Sequence, residues 1–286
     1  MKKKFFRSFN LARKFIQKQK ISTYKEWTEY ARSAKKPANI PSDPRYTYRN
    51  SGWIDWYDWL GRSRDRRLYY VNDDFFKTWS SDMAYILGFW FADGYIDTDK
   101  NIFSITQHRK DSYLLQTMLH KMQSNYKLYF CNQMCRFDIK SPKIVRSIIE
   151  LGGMPRKSLV CQFPLIPTQY LPDFIRGLWD GDGCICVHTV KQKERKPRKT
   201  VTSNFISGSK KFILELQKTL SQNISELKGH LHTYPRKNNQ VAYLLSFGPF
   251  STLRLGDFFY KNPQELRLLR KHNKFMKGKE LYEETP

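Results

Sequence analysis

The 286 residues suffice for two or three domains with a sizeable core, and no apolar run approaches the roughly 20 residues of a membrane-spanning helix, so a soluble protein without membrane contact is expected. The 51 Lys and Arg against 26 Asp and Glu give a formal charge of +25, which opposes compaction and attracts polyanions, nucleic acid before an anionic membrane surface. Five cysteines, an odd count, fit free thiols in a reducing intracellular compartment; an organelle, a phage-infected cell and bacterial cytoplasm are equally compatible.

The opening MKKKFFRSFNLARKFIQKQK carries no acid. A mitochondrial presequence has that composition, but no cleavage region follows, so a basic first helix is expected. Phe5, Phe9, Ala12, Phe15 and Ile16 recur at helical spacing. Ser22 or Thr23 is placed to cap a second helix presenting Trp27, Tyr30 and Ala31. A turn-rich segment then ends in Trp53, Trp56 and Trp59, the makings of a miniature core. The order helix, EW..Y, IP..P...Y, GW..WYDWLG resembles the repeat unit of some phage-integrase-type proteins. Residues 1–62 thus read as a small, mainly helical, Trp-rich basic domain able to serve as an accessory DNA contact. The polar residues 63–80 read as a linker.

From Ser81 the order of elements repeats. Helix 82–94, strands near 101–108, helix 111–123, strands 126–131 and 134–140, and helix 142–151 make a first unit over residues 81–165. Helix 171–183, strands near 184–190 and 200–207, helix 209–222, strands 229–236 and 240–247, and the helices beyond make a second over 166–286. The expected fold class is α+β, with two helix–strand–strand–helix–strand–strand–helix halves about a pseudo-two-fold axis in a monomer.

The first helix of each unit is unusual. ILGFWFADG (86–94) and IRGLWDGDG (175–183) are apolar runs that stop on an Asp-Gly pair. Gly88 and Ala92 are four apart, as are Gly177 and Gly181, so each helix offers a groove that lets two backbones approach closely. If the grooves meet, Asp93 and Asp182 end side by side. Two crowded carboxylates call for a proton or a cation, and in so basic a chain a divalent metal facing a phosphodiester is the economical reading. A left-handed C-cap explains one Asp-Gly pair but not two with matched spacing. An EF-hand is excluded, since Ile185 and Ile102 stand where its glycine must be. Cys184, Cys186 and His188 share a strand face, but no second CxxC or His pair has zinc-ligand spacing.

These paired motifs resemble those of single-chain LAGLIDADG homing endonucleases, over roughly residues 81–280. The resemblance implies that the two helices form the domain interface and that Asp93 and Asp182 bind catalytic Mg²⁺ or Mn²⁺. Phe91 and Asp180 occupy the family's more variable acidic position. Arg176 replaces a small or apolar residue and is expected to reach solvent or an acid at the interface edge. GMPRKSL (153–159) resembles the segment bearing a basic residue near the scissile phosphate, which falls on Lys157. In the second half LRLLRKHNKF offers Lys271, with Arg270 as rival. Gln107 matches a polar position near the attacking water; Gly208 is the approximate counterpart, so the two sites are expected to be unequal.

The resemblance also implies a saddle of antiparallel strands along the DNA major groove. Alternation puts Ser104, Thr106 and His108 on the outer face of the first half, with Arg136, Asp138 and Lys140. In the second half it puts His232, Tyr234 and Arg236 there, followed by Lys237. KQKERKPRK (191–199) reads as a phosphate-binding hairpin tip or a flexible loop. The implied function is a site-specific double-strand DNA endonuclease, intron-encoded like many of its kind. An RNA maturase assisting intron splicing and a non-cleaving DNA-binding regulator are the alternatives. Paired acids favour the nuclease, because binding alone does not need them. An intein is not expected, as the termini lack a splice nucleophile and a His-Asn pair.

Overall fold

A computed structural model describes residues 5–62, 69–192, 195–236, 240–261 and 266–283, with backbone only for Gln192, Arg195 and Lys196. Two compact units result, Met1–Leu68 and Tyr69–Pro286.

The smaller unit holds helices α1 (Phe9–Gln17), α2 (Tyr24–Arg32), α3 (Pro44–Thr47) and α4 (Trp56–Trp59). Helix α1 starts at Phe9, so Phe5 stays exposed outside the apolar face. Thr23 is the cap of α2: its Oγ1 accepts from Glu26 N at 3.1 Å, while Glu26 Oε2 accepts from Ser22 N at 2.6 Å. That reciprocal arrangement satisfies two backbone donors the helix leaves open. Trp59 is the centre of the core, with ring centroids of Trp27, Tyr48, Phe9 and Trp53 within 5.6–6.0 Å. Asp58 accepts from Arg13 at 2.7 Å and ties α4 to α1.

The larger unit builds each half the same way. In the first, α5 (Ser81–Asp93) leads into β1 (Gly94–Asp97) and β2 (Ile102–His108), then α6 (Ser112–Lys121), β3 (Tyr129–Cys131), β4 (Met134–Lys140) and α7 (Pro142–Glu150). In the second, α8 (Leu171–Asp182) leads into β5 (Gly183–Gln192) and β6 (Arg195–Ser207), then α9 (Lys210–Asn223), β7 (Gly229–Pro235), β8 (Val241–Phe247), α10 (Pro249–Tyr260) and α11 (Leu269–Glu283). The fold is mixed α+β, with antiparallel sheets ordered β1-β2-β4-β3 and β5-β6-β8-β7. One face of each sheet is core: Phe103, Ile105, Phe137 and Ile139 in the first, Val201, Phe205, Leu245 and Phe247 in the second. The described residues of the basic stretch 191–199 belong to paired strands, with Gln192 opposite Arg195. Residues 69–80, read from composition as linker, instead pack onto the first half: Phe76 lies 5.4 Å from the Phe103 ring and Ser141 Oγ donates to Asp73. Among the described residues no helix is long and apolar enough to cross a membrane.

Helix α5 is buried without a break from Met83 to Phe91, because one face meets its own sheet and the other meets α8. The two helices touch through backbone. A Cβ on Gly177 would fall 2.8 Å from Phe89 N and closer still to Tyr85 O; one on Gly88 would strike Phe174 O. Ala92 and Gly181 meet in the same way further along, where a Cβ on Gly181 would overlap that of Ala92. Neither Asp-Gly pair is a left-handed cap. Gly94 and Gly183 are extended (φ −92° and −76°), and each helix passes directly into its strand. Glycine is needed there because Cβ atoms would strike Trp90 and Trp179.

Candidate functional site

Helices α5 and α8 cross so that their C-terminal ends, and with them Asp93 and Asp182, lie at one edge of the interface. Even a Cβ on Gly181 would lie only 3.5 Å from Asp93 Oδ2. Burial, and then the charge of Asp93, raises the Asp182 carboxyl to about 6. Burial also raises Asp93, against the pull of Lys271, Lys157 and a hydrogen bond from Gln107. Gln107 Nε2 donates to Asp93 Oδ2 at 3.0 Å, and the amide is oriented by His108 N donating to its Oε1 at 2.8 Å. Gln107 has the parity of Phe103 and Ile105, so it points inward from β2 and reaches the helix end.

The strand register corrects the counterpart of Gln107. Gly94 pairs with Ile105 and Gly183 with Phe205, so two residues on, Gln107 corresponds to Ser207 rather than Gly208. Ser207 is too short to repeat the bond. Among the described residues no hydrogen bond reaches the Asp182 carboxylate. Beside Asp182 a cavity of about 540 Å³ opens, lined by Lys157, Ser207, Arg236 and Gln240 among others.

Lys157 and Lys271 arrive from different segments and do the same thing. Lys157 Nζ donates to Gly94 O at 2.6 Å and Ala92 O at 3.3 Å, and lies 5.0 Å from the Trp90 ring centroid. Lys271 Nζ donates to Trp179 O and Asp180 O at 2.7 Å, Gly183 O at 2.5 Å and Gly181 O at 3.2 Å. Each ammonium therefore sits among carbonyls at the negative end of a helix dipole, including last-turn carbonyls that the helix leaves open. At 7% and 6% exposure both lysines are buried, with their ammonium groups held by backbone carbonyls. Desolvation lowers both, Lys271 to about 8. Arg270 goes elsewhere, pairing with Asp111 of the first half at 2.9 Å.

The second half carries a buried polar network that the first lacks. Arg176, expected at solvent or an interface-edge acid, is 2% exposed. It pairs with Asp173 at 2.8 Å and donates to Leu266 O and Phe259 O, because α10 and the segment before α11 cover this side of α8. Asp180 is fully buried and accepts from Tyr85 Oη at 2.7 Å and Leu268 N at 2.8 Å. Burial raises its carboxyl as well. Phe91, its counterpart, packs on Phe174 and Phe212 across the interface.

The donor set can be judged from its chemistry. Asp93 and Asp182 supply carboxylate oxygens, carbonyls at the helix ends are taken by lysine, and among the described residues no thiol or imidazole joins the two acids in a cluster. Among the described residues no cluster of three or more His, Cys, Asp or Glu forms. That suits Mg²⁺, which accepts one or two carboxylates and completes its shell with water and phosphate oxygen; it does not suit tetrahedral zinc. Cys184 and Cys186 are exposed free thiols.

The remaining sequence candidates lie on the sheet faces turned from the core. Ser104 pairs across strands with Asp138, and Thr106 with Arg136. His108 and Lys140 end those strands. His232, Tyr234 and Arg236 lie along and just beyond β7, with His232 Nε2 2.9 Å from Ser246 Oγ. Lys237 lies outside the described residues. Sequence alternation missed Tyr95, opposite Ser104, and Tyr129, opposite Arg136, which are both half-exposed on the same face.

No family model matches the chain, and no curated protein does. Solved structures match in fold. LAGLIDADG meganuclease I-AabMI bound to uncleaved DNA is 15% identical over 70% of this chain and 89% of its own, with a TM-score of 0.51. LAGLIDADG homing endonuclease I-LtrWI bound to target DNA is 14% identical over 72% and 91%, with a TM-score of 0.50. The larger unit shares their two-unit fold.

Proposed function

We propose that this chain is a site-specific double-strand DNA endonuclease acting as a monomer, each half supplying one acid. The carrying observation is the meeting of Asp93 and Asp182 at the shared end of α5 and α8, where each half-buried carboxyl is raised by burial and Asp182 also by its neighbour's charge. Crowding two acids in a protein interior is costly and has no use in folding. On a fold shared with DNA-bound LAGLIDADG proteins, and in a chain of net charge +25, a cation between acids and phosphodiester gives it one.

Mg²⁺ or Mn²⁺ held there supplies charge neutralisation at the phosphate and a more acidic water. Asp93 and Asp182 would hold the cation. Gln107 fixes the Asp93 carboxylate in one orientation. Lys157 and Lys271 clamp the helix ends that carry the acids, and their charges favour the ionised carboxylates. The outer sheet faces lie along the major groove.

Asp93→Asn and Asp182→Asn test this directly. Each should abolish double-strand cleavage of the true target while leaving binding within about tenfold, roughly 1.4 kcal/mol. Normal cleavage by either variant refutes the assignment. Target binding without cleavage by the wild type would instead favour the non-cleaving regulator.

A further inference from the structure

We propose that Arg136 reads a guanine in the major groove and that Asp138, itself fixed by Ser104, holds the guanidinium in its reading position; this rests on the DNA-binding reading above. The three side chains form one chain on the outer face of the first sheet. Ser104 on β2 stands directly opposite Asp138 on β4, and its Oγ donates to Asp138 Oδ1 at 2.7 Å. Ser104 is buried, so the start of the chain is anchored. Asp138 Oδ2 then forms an ion pair with Arg136, 3.2 Å from its Nε, two residues back on the same strand and hence on the same face.

The nitrogen used is the informative detail. Nε is the nitrogen nearest the stem, so an acid beside it steers the guanidinium while leaving the Nη edge at its tip. That edge is the one that fits guanine O6 and N7 as a two-bond fork. Fixing an arginine before binding also removes part of the ordering cost that recognition otherwise carries. Stability does not account for the pair. The Arg136 side chain is 58% exposed, and ion pairs so exposed contribute little to folding. An acid on a face turned to phosphates is repelled by them, a cost that pairing with the Arg136 guanidinium offsets.

At the register-matched positions, all described, the second half has no such device. By register, Arg136 corresponds to Leu244, Asp138 to Ser246 and Ser104 to Asn204. Leu244 has no donor, so guanine preference belongs to one half-site without a mirror image in the other.

The test is selection from a pool of randomised duplexes, without divalent cation, by full-length wild type, Arg136→Ala, Arg136→Lys and Asp138→Asn. Wild type is expected to enrich G·C at one base pair of one half-site, with no guanine enrichment at the pair related by the dyad. Arg136→Ala and Arg136→Lys should lose that preference by about tenfold or more while preferences elsewhere persist. Asp138→Asn should weaken the same preference and no other, which a merely structural role would not do. If Arg136→Ala keeps the preference, the guanine is read by another residue, and if the variants weaken binding evenly at all positions, Arg136 is a phosphate contact; either result overturns the proposal. Enrichment of no sequence by wild type would overturn the DNA reading itself, and this proposal with it.

Discussion

Replacing Asp182 by Asn offers a measurement of the site that needs no DNA. The carboxyl sits at about 6 in the folded protein, against an ordinary value of 3.8, chiefly through burial and then through Asp93. A raised acid binds its proton more tightly folded than unfolded, so ionisation opposes folding. Below about pH 4 Asp182 is protonated in both states and costs nothing. As the pH climbs through 6 the cost develops fully: about 2 pKa units at 1.36 kcal/mol each, or roughly 3 kcal/mol. Asn is neutral throughout and of similar shape. In chelator, Asp182→Asn should therefore match wild type near pH 3.5 and exceed it at pH 7.5. For a unit of this size the gain corresponds to roughly 6–12 °C in melting temperature. Differential scanning calorimetry at a series of pH values gives the whole curve. A variant that gains nothing at pH 7.5, or one displaced by the same amount at every pH, would refute the reasoning, because only an acid whose ionisation is opposed in the folded state produces an offset that opens between pH 4 and 6.

Mg²⁺ should relieve the same strain: at ten times its dissociation constant it adds about 1.4 kcal/mol to wild type. Calorimetry should show a markedly smaller gain for Asp182→Asn. Gly177→Ala should cost at least about 1–3 kcal/mol in thermal unfolding, because its methyl meets α5 backbone that cannot yield. Residues 1–62 hold fifteen Lys and Arg against five acids, a net of +10. Deleting them should leave cleavage intact, weaken DNA binding and flatten its log–log salt dependence by about 0.9 for every phosphate no longer neutralised. An unchanged slope across a salt series would exclude direct binding of DNA by this segment.

What the sequence disclosed and withheld follows from the range of the forces involved. Both α+β units are visible in local periodicity, because α5 and α8 are apolar runs with small residues four apart and the strands alternate. The same alternation marked Ser104, Thr106 and Arg136 as a common face. The site's supporting parts depend on partners far along the chain. Lys271 stands out in LRLLRKHNKF only as a candidate basic residue near the phosphate, with nothing local to show that its ammonium is held by carbonyls 88–92 residues earlier. Arg176 looks misplaced in an apolar helix until Phe259 O and Leu266 O are brought over it. Ser207 was missed for Gly208 because a one-residue register shift cannot be seen without the strand pairing. Charge showed that residues were basic, and only packing showed where they pointed.

The cap on α8 also sets an order of events during synthesis. Helix α5 emerges from the ribosome 89 residues before its counterpart on α8, with an apolar groove that nothing yet covers. Once α8 appears, its last carbonyls wait for Lys271, and Asp180 waits for Leu268 N. At 5–20 residues per second that interval is on the order of 5–20 s. The acid-bearing end of α8 is thus completed last, so a nascent chain or one truncated before residue 271 carries both aspartates without the clamp that aims the second.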